Sequence, residues 1–202
     1  MIRVGITGGI GSGKTTICRI WESLGAYIIY ADELAKSIMM EHPSVVASIK
    51  KTFGEAAYEQ DGSLNRAYLA QKAFGEGRVE ELNAIVHPEV FRASDALMQQ
   101  AASLGYPIAV REAAILLQYG RPRDLDVIVL VLSEIEARAG RVMQRDQTSA
   151  SSVQARMAHQ PLYENYIPLA DYVIHNQGTL EELELKATLL YHQILDLEKS
   201  SH

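Results

Sequence analysis

Eight residues near the start of the chain, Gly8-Gly9-Ile10-Gly11-Ser12-Gly13-Lys14-Thr15, contain four glycines and end on a lysine and a hydroxyl side chain. The short apolar run Ile2 to Thr7 precedes them. After them Ile17, Ile20, Trp21 and Leu24 recur at i, i+3, i+4 and i+7, one face of a helix closed by Gly25. Strand, glycine loop, helix is a strong constraint. Glycines let successive backbone N–H groups turn toward one point, and the helix adds the positive end of its dipole there. The run matches the Walker A pattern G-x-x-x-x-G-K-[ST], which a chain of this size meets by chance on the order of once in a hundred. It predicts a nucleoside triphosphate site with Mg²⁺ beside it. Lys14 is a point charge for the β and γ phosphates, and Thr15 a hydroxyl ligand for Mg²⁺.

The rest of the chain alternates strand-like and helical patterns. Apolar runs at 26–30, 106–110, 125–132 and 170–175 read as buried strands. From Glu33 to about Leu104 the pattern is almost wholly helical, with breaks at His42-Pro43, Gly54, Asp61-Gly62, Gly75, Gly77 and His87-Pro88. Ser133-Glu134-Ile135-Glu136 and Thr179-Leu180-Glu181-Glu182 read as capping boxes opening helices to about Arg145 and Leu197. A further helix runs from Ser151 to Gln160, closed by Pro161. Alternation of this kind implies an α/β fold whose five-stranded parallel sheet is flanked by helices.

Composition narrows the function classes. Of 202 residues, 48% are hydrophobic and 22% charged, which excludes a disordered or collagen-like chain. A net charge of -6 argues against non-specific binding to nucleic acid or an anionic membrane. Cys18 is the one cysteine, which suits a reducing compartment. With no basic, apolar leader and no apolar run long enough to span a bilayer, a soluble cytoplasmic protein is expected. A monomer or weak homo-oligomer is expected.

No D-x-x-G and N-K-x-D pair is present, as a GTPase would need, and no ABC-type signature. Small size and a helical insertion after the second strand point to a P-loop kinase with an acceptor-binding insertion and a lid. The stretch Gly5-Ile6-Thr7-Gly8-Gly9-Ile10-Gly11-Ser12-Gly13-Lys14-Thr15-Thr16 resembles the P-loop of dephospho-CoA kinases. In the same order, Tyr30-Ala31-Asp32 resembles that family's D-A-D and Val86-His87-Pro88 its L-H-P. Arg141-x-x-x-Arg145-Asp146 and Arg156-x-x-x-Gln160 resemble its lid, and Ala170 to Gly178 its A-D-x-V-I-x-N-x-G.

The resemblance implies a single domain: a core of 1–32, 105–135 and 168–202, an acceptor-binding insertion 33–104, and a lid 136–167. It implies transfer of phosphate from ATP to the ribose 3′-hydroxyl of dephospho-CoA. Lys14, Asp32 and Arg141 would be catalytic, and Asp32 and His87 would meet the acceptor. Gly8, Gly9, Gly11, Ser12, Gly13, Lys14, Thr15, Thr16, Arg145, Asn176 and Gly178 would meet ATP. Two positions depart from the pattern. Tyr30 replaces the first Asp of D-A-D, and Gln118 stands where the segment after the third strand usually ends in Glu, with Glu112 nearby.

Several of these residues also have plainer readings. Asp32 could be an N-cap, or a carboxylate at a strand's carboxyl end that accepts a proton or holds Mg²⁺ through water. Arg141 and Arg145, four apart, share a helical face, whereas a solvated face is the better reading of Arg138. His87 fits a helix boundary, and Asn176 and Gly178 fit a plain turn. Cys18 reads as a helix residue near the core rather than a nucleophile. A kinase for another small metabolite or nucleotide, or an ATP-binding switch that transfers nothing, are the alternatives.

Overall fold

The structure, a computed structural model, describes residues 1–200; Ser201 and His202, at the end of the expected core, lie outside the described residues. Five parallel strands form one sheet: β1 (Ile2–Gly8), β2 (Tyr27–Tyr30), β3 (Ile108–Glu112), β4 (Val127–Leu132) and β5 (Tyr172–His175), in the order β2-β3-β1-β4-β5. The expected α/β fold with a five-stranded parallel sheet is therefore present. β1 lies at the centre, with Val4 paired to Val110 of β3 on one side and to Val127 of β4 on the other. A strand enclosed in this way is mostly apolar, and Val4, Ile6 and every residue of β4 are buried.

Helices α1 (Lys14–Ser23) and α8 (Leu180–Ser200) cover one face of the sheet. Alternate strand residues Ile2, Val4, Ile6, Val127, Val129 and Val131 meet Ile17, Cys18 and Trp21 of α1 and Leu183, Ala187, Tyr191 and Ile194 of α8 in one cluster. Trp21 is fully buried and its Nε1 donates to the Ala187 carbonyl at 2.8 Å, tying the two helices together. On the other face, Leu130 and Leu132 pack with Tyr163.

Contacts divide the chain into two compact units, Met1–Tyr30 with Met98 onward, and Ala31–Leu97. The second unit is helical: α2 (Ala31–Glu41), α3 (Pro43–Phe53), α4 (Arg66–Ala70) and most of α5 (Val79–Ser103). Its own core holds Ile38, Val45, Ile49, Phe53, Ala57, Tyr58, Leu69 and Val86. The remaining helices, α6 (Ile135–Asp146) and α7 (Ala150–Ala158), belong to the first unit.

Three local expectations need correction. The break at His87-Pro88 does not occur, and α5 runs through Pro88. Proline removes one donor and crowds the carbonyl four residues back, but burial of Val86 and packing of Ile85, Val90 and Ala93 against the insertion core hold the helix on both sides. β3 begins at Ile108 and extends through Arg111 and Glu112. These charges belong to the strand because Arg111 pairs with Asp124 at 2.7 Å and Glu112 lies at the P-loop. The first capping box is not formed: Ser133 Oγ donates to the Asn176 carbonyl instead, and no side chain caps α6. The second is formed in both directions, Glu182 N to Thr179 Oγ1 and Thr179 N to Glu182 Oε2, each at 3.3 Å.

Trp21→Ala is expected to cost ~3–5 kcal/mol through its cavity. Trp21→Phe, which keeps most of the volume and strands the Ala187 carbonyl, should cost about 1–3 kcal/mol. Urea unfolding of both variants checks the order, and a Trp21→Phe variant as stable as the wild type would show that the hydrogen bond contributes nothing.

Candidate active site

The chain leaves β1 at Gly8, turns through the glycine loop and enters α1 at Lys14. Gly8, Gly11 and Gly13 have φ of 148°, 76° and 106°, values that L side chains rarely adopt. The backbone carbonyls of this loop are held one after another. Lys14 Nζ donates to the carbonyls of Gly8 at 2.8 Å and Gly9 at 3.2 Å. Arg138 Nε takes Ile10 O at 3.0 Å, Arg141 Nη1 takes Gly11 O at 3.2 Å, and Asn176 Nδ2 takes Ser12 O at 2.8 Å. With its carbonyls engaged by side chains, the loop is shaped as an anion nest. Among the described residues, the buried Ser12 hydroxyl has no hydrogen-bond partner, which fits a loop built to receive phosphate oxygens.

Glu112, at the end of β3, is the main residue that sequence reasoning underrated. Its Oε2 accepts from Thr15 Oγ1 at 3.4 Å and its Oε1 lies 3.8 Å from Lys14 Nζ. A hydroxyl and a carboxylate oxygen side by side are hard donors of the kind Mg²⁺ takes. The available signal was position, since Glu112 follows an apolar strand in a sheet whose sites lie at carboxyl ends. Thr15 is exposed, while Thr16, one residue further along α1, is partly buried.

Arg141 ties three segments together: besides Gly11 O, it donates to Ser133 Oγ at 2.9 Å and to the Asn176 carbonyl at 3.2 Å. Asn176 is buried and links the turn after β5 to the P-loop, through a contact the sequence did not indicate. Gly178 is exposed beyond it, against the Glu182 carboxylate. Arg145 points elsewhere. It and Arg156 both bind Asp146, whose carboxyl these hydrogen bonds hold below its usual pKa.

The solvated-face reading of Arg138 is incorrect. Its guanidinium is half-buried over the P-loop, and that burial lowers its pKa. An i, i+3 spacing to Arg141 was the clue. Cys18 is buried in the core face of α1, and that burial pushes its thiol well above the ordinary value.

Asp32 and His87 belong to the helical unit. Asp32 is exposed in the first turn of α2, one residue inside the helix rather than at the flanking cap position. It follows by two residues Tyr30, the register partner of Glu112. His87 is half-buried on α5, and burial lowers its pKa. Gln118 is exposed in the turn after β3.

A parallel sheet in this order, with a phosphate-binding loop leading from its central strand into a helix, defines a P-loop kinase. The sequence profile of the dephospho-CoA kinase family matches residues 2–182. A dephospho-CoA kinase of Salinibacter ruber is 46% identical over 192 residues, covering 95% of this chain and 96% of that protein. The crystal structure of TT1252 from Thermus thermophilus superposes with a TM-score of 0.76 at 35% identity, covering 94% of this chain and 96% of that one. The structure of a dephospho-CoA kinase from Campylobacter jejuni, 22% identical, shares the fold with a TM-score of 0.62 over 95% and 96% of the two chains. The chain belongs to the dephospho-CoA kinase family.

Asn176→Asp keeps the shape at this position but turns the Ser12 donor into an acceptor. The uncompensated carbonyl is expected to weaken ATP binding by about tenfold or more, from a penalty of ~1–3 kcal/mol. Calorimetric titration checks this, and unchanged affinity would show that the Asn176 contact does not shape the loop.

Proposed function

We propose that this protein transfers the γ-phosphoryl group of ATP to the 3′-hydroxyl of the ribose of dephospho-CoA, yielding CoA and ADP. One observation carries the reading: a complete phosphate loop, with Lys14, Thr15 and Glu112 gathered beside it, in a chain that matches this kinase family over residues 2–182. The acceptor oxygen forms a bond to the γ phosphorus while the bond to the ADP oxygen breaks. The chain's part is to position both partners and neutralise charge.

Lys14 follows the negative charge that spreads over the transferring group. The P-loop amides from Gly8 to Thr16 take the phosphates, and Arg141 joins that loop to the turn of Asn176 and Gly178, beside which the adenosine sits. Arg145 reaches ATP only by leaving Asp146. Asp32 takes the proton of the attacking hydroxyl, and His87 contributes to the acceptor side from the insertion. The division into core, insertion and lid follows the same assignment.

Thr15 and Glu112 would hold Mg²⁺, which when bound draws charge from the β and γ phosphates. Among the described residues no helix is long and apolar enough to cross a membrane. A cytoplasmic site of action, with no nucleic-acid or membrane partner and a monomeric or weakly associating chain, is part of the proposal.

ADP release stimulated by dephospho-CoA, and not by AMP, nucleosides or shikimate, tests the acceptor. Equal stimulation by another acceptor would replace it, and ATP binding without acceptor-dependent turnover would make the protein a switch. Lys14→Ala should remove measurable transfer without unfolding the chain, and near-normal turnover would refute the P-loop assignment. Asp32→Asn should lower kcat by ~10²–10⁴-fold with little change in ATP affinity, because an amide cannot accept the proton. A normally turning over Asn variant would move the base to Glu112. Glu112→Gln should raise the Mg²⁺ concentration needed for half-maximal rate, and an unchanged requirement would remove Glu112 from the metal site.

A further inference from the structure

Ile10 is the one apolar residue among the glycines of the phosphate loop, and its peptide is held from both sides. Its N–H donates to Gln160 Oε1 at 2.9 Å and its carbonyl accepts from Arg138 Nε at 3.0 Å. Arg138 Nη2 donates to the same Gln160 oxygen at 3.0 Å, closing a ring of three hydrogen bonds. The ring joins three separate elements: the P-loop, the first turn of α6 where Arg138 stands, and the segment just past α7 that carries Gln160.

The loop is fitted to this arrangement. A Cβ on Gly9 would overlap the Arg138 guanidinium, and one on Gly11 would lie 2.5 Å from the Arg138 carbonyl. Gly9 is not among the positive-φ glycines, so its lack of a side chain makes room for arginine rather than for an unusual backbone angle. Two of the four loop glycines thus accommodate residue 138.

We infer that Arg138 and Gln160 are positioning residues for phosphoryl transfer: acting as one clamp on the Ile10 peptide, they set the curvature that the P-loop presents to the triphosphate. The inference rests on the assignment of this loop as the ATP site. Neither residue needs to touch the reacting atoms. Their effect is to fix a peptide plane that would otherwise rotate, and so to fix the direction of the neighbouring amides. The clamp also makes the phosphate loop depend on α6 and α7, which carry its two side chains.

The test uses the full chain, with Arg138→Met, Gln160→Met and the double variant, read by ATP titration calorimetry, by separate KM values for ATP and dephospho-CoA, and by thermal melting. Each single change breaks two bonds of the ring, at least one of them charge-assisted, and with the loop no longer held in shape ATP binding and KM for ATP should weaken by about ten- to hundredfold. KM for dephospho-CoA and the melting temperature should move little. Because both residues serve one ring, the double variant should lose about as much as the worse single.

Wild-type ATP affinity in both single variants would overturn the clamp, whatever the melting temperature. Losses that simply multiply in the double variant would show two independent contacts and overturn it as well. Should Arg138→Met fold poorly, Gln160→Met decides the matter, since its side chain lies past the end of α7 and only partly buried. A wild-type protein that bound no ATP would remove the reading of the loop itself, and the clamp with it.

Discussion

A phosphate loop works only if its amides face the anion, and the amides can do so only when the carbonyls on the other side of each peptide have somewhere to go. Here that condition is met residue by residue: Lys14 serves Gly8 and Gly9, Arg138 serves Ile10, Arg141 serves Gly11 and Asn176 serves Ser12. All but one of these donors come from outside the loop. Glycine makes the turn accessible to the backbone, but side chains from α6 and the β5–α8 turn hold it in one shape. The loop is therefore a product of the whole first unit rather than of eight residues.

The sheet determines where those donors stand. β1 is enclosed by β3 and β4, so the carboxyl ends of all three strands deliver their following residues to one edge. Ser133 follows β4, Asn176 follows β5, and Glu112 ends β3. The Ser133 hydroxyl, left uncommitted by the missing cap on α6, bridges Arg141 and the Asn176 carbonyl. Local helix capping gave way to a tertiary contact that serves the site.

Much of this was legible residue by residue. The 3.6-residue spacing of Ile17, Ile20, Trp21 and Leu24 marked α1, and the apolar runs marked all five strands, with ends displaced by one or two residues. Strand ends were hard to read because Arg111 and Glu112 look solvent-facing in a pattern of hydrophobicity. Each is accommodated by a partner distant in sequence, Asp124 for one and Lys14 with Thr15 for the other. Pro88 was hard to read for the converse reason. A local rule against proline in helices was outweighed by burial on either side of it.

What the sequence alone determined was the chemistry of the loop and the kind of fold around it. Four glycines, a lysine and a threonine at set spacing, between an apolar run and an amphipathic one, allow few structures, because backbone angles and periodicity are local properties. Which arginine does what was decided only by tertiary structure. Arg138, Arg141 and Arg145 share one helix and one chemistry, yet the first two turn to the carbonyls of Ile10 and Gly11 and the third to Asp146. Their difference lies in the direction each side chain takes from α6 toward a loop more than a hundred residues away in sequence, and a guanidinium's hydrogen bonds depend on that direction over distances of about 3 Å.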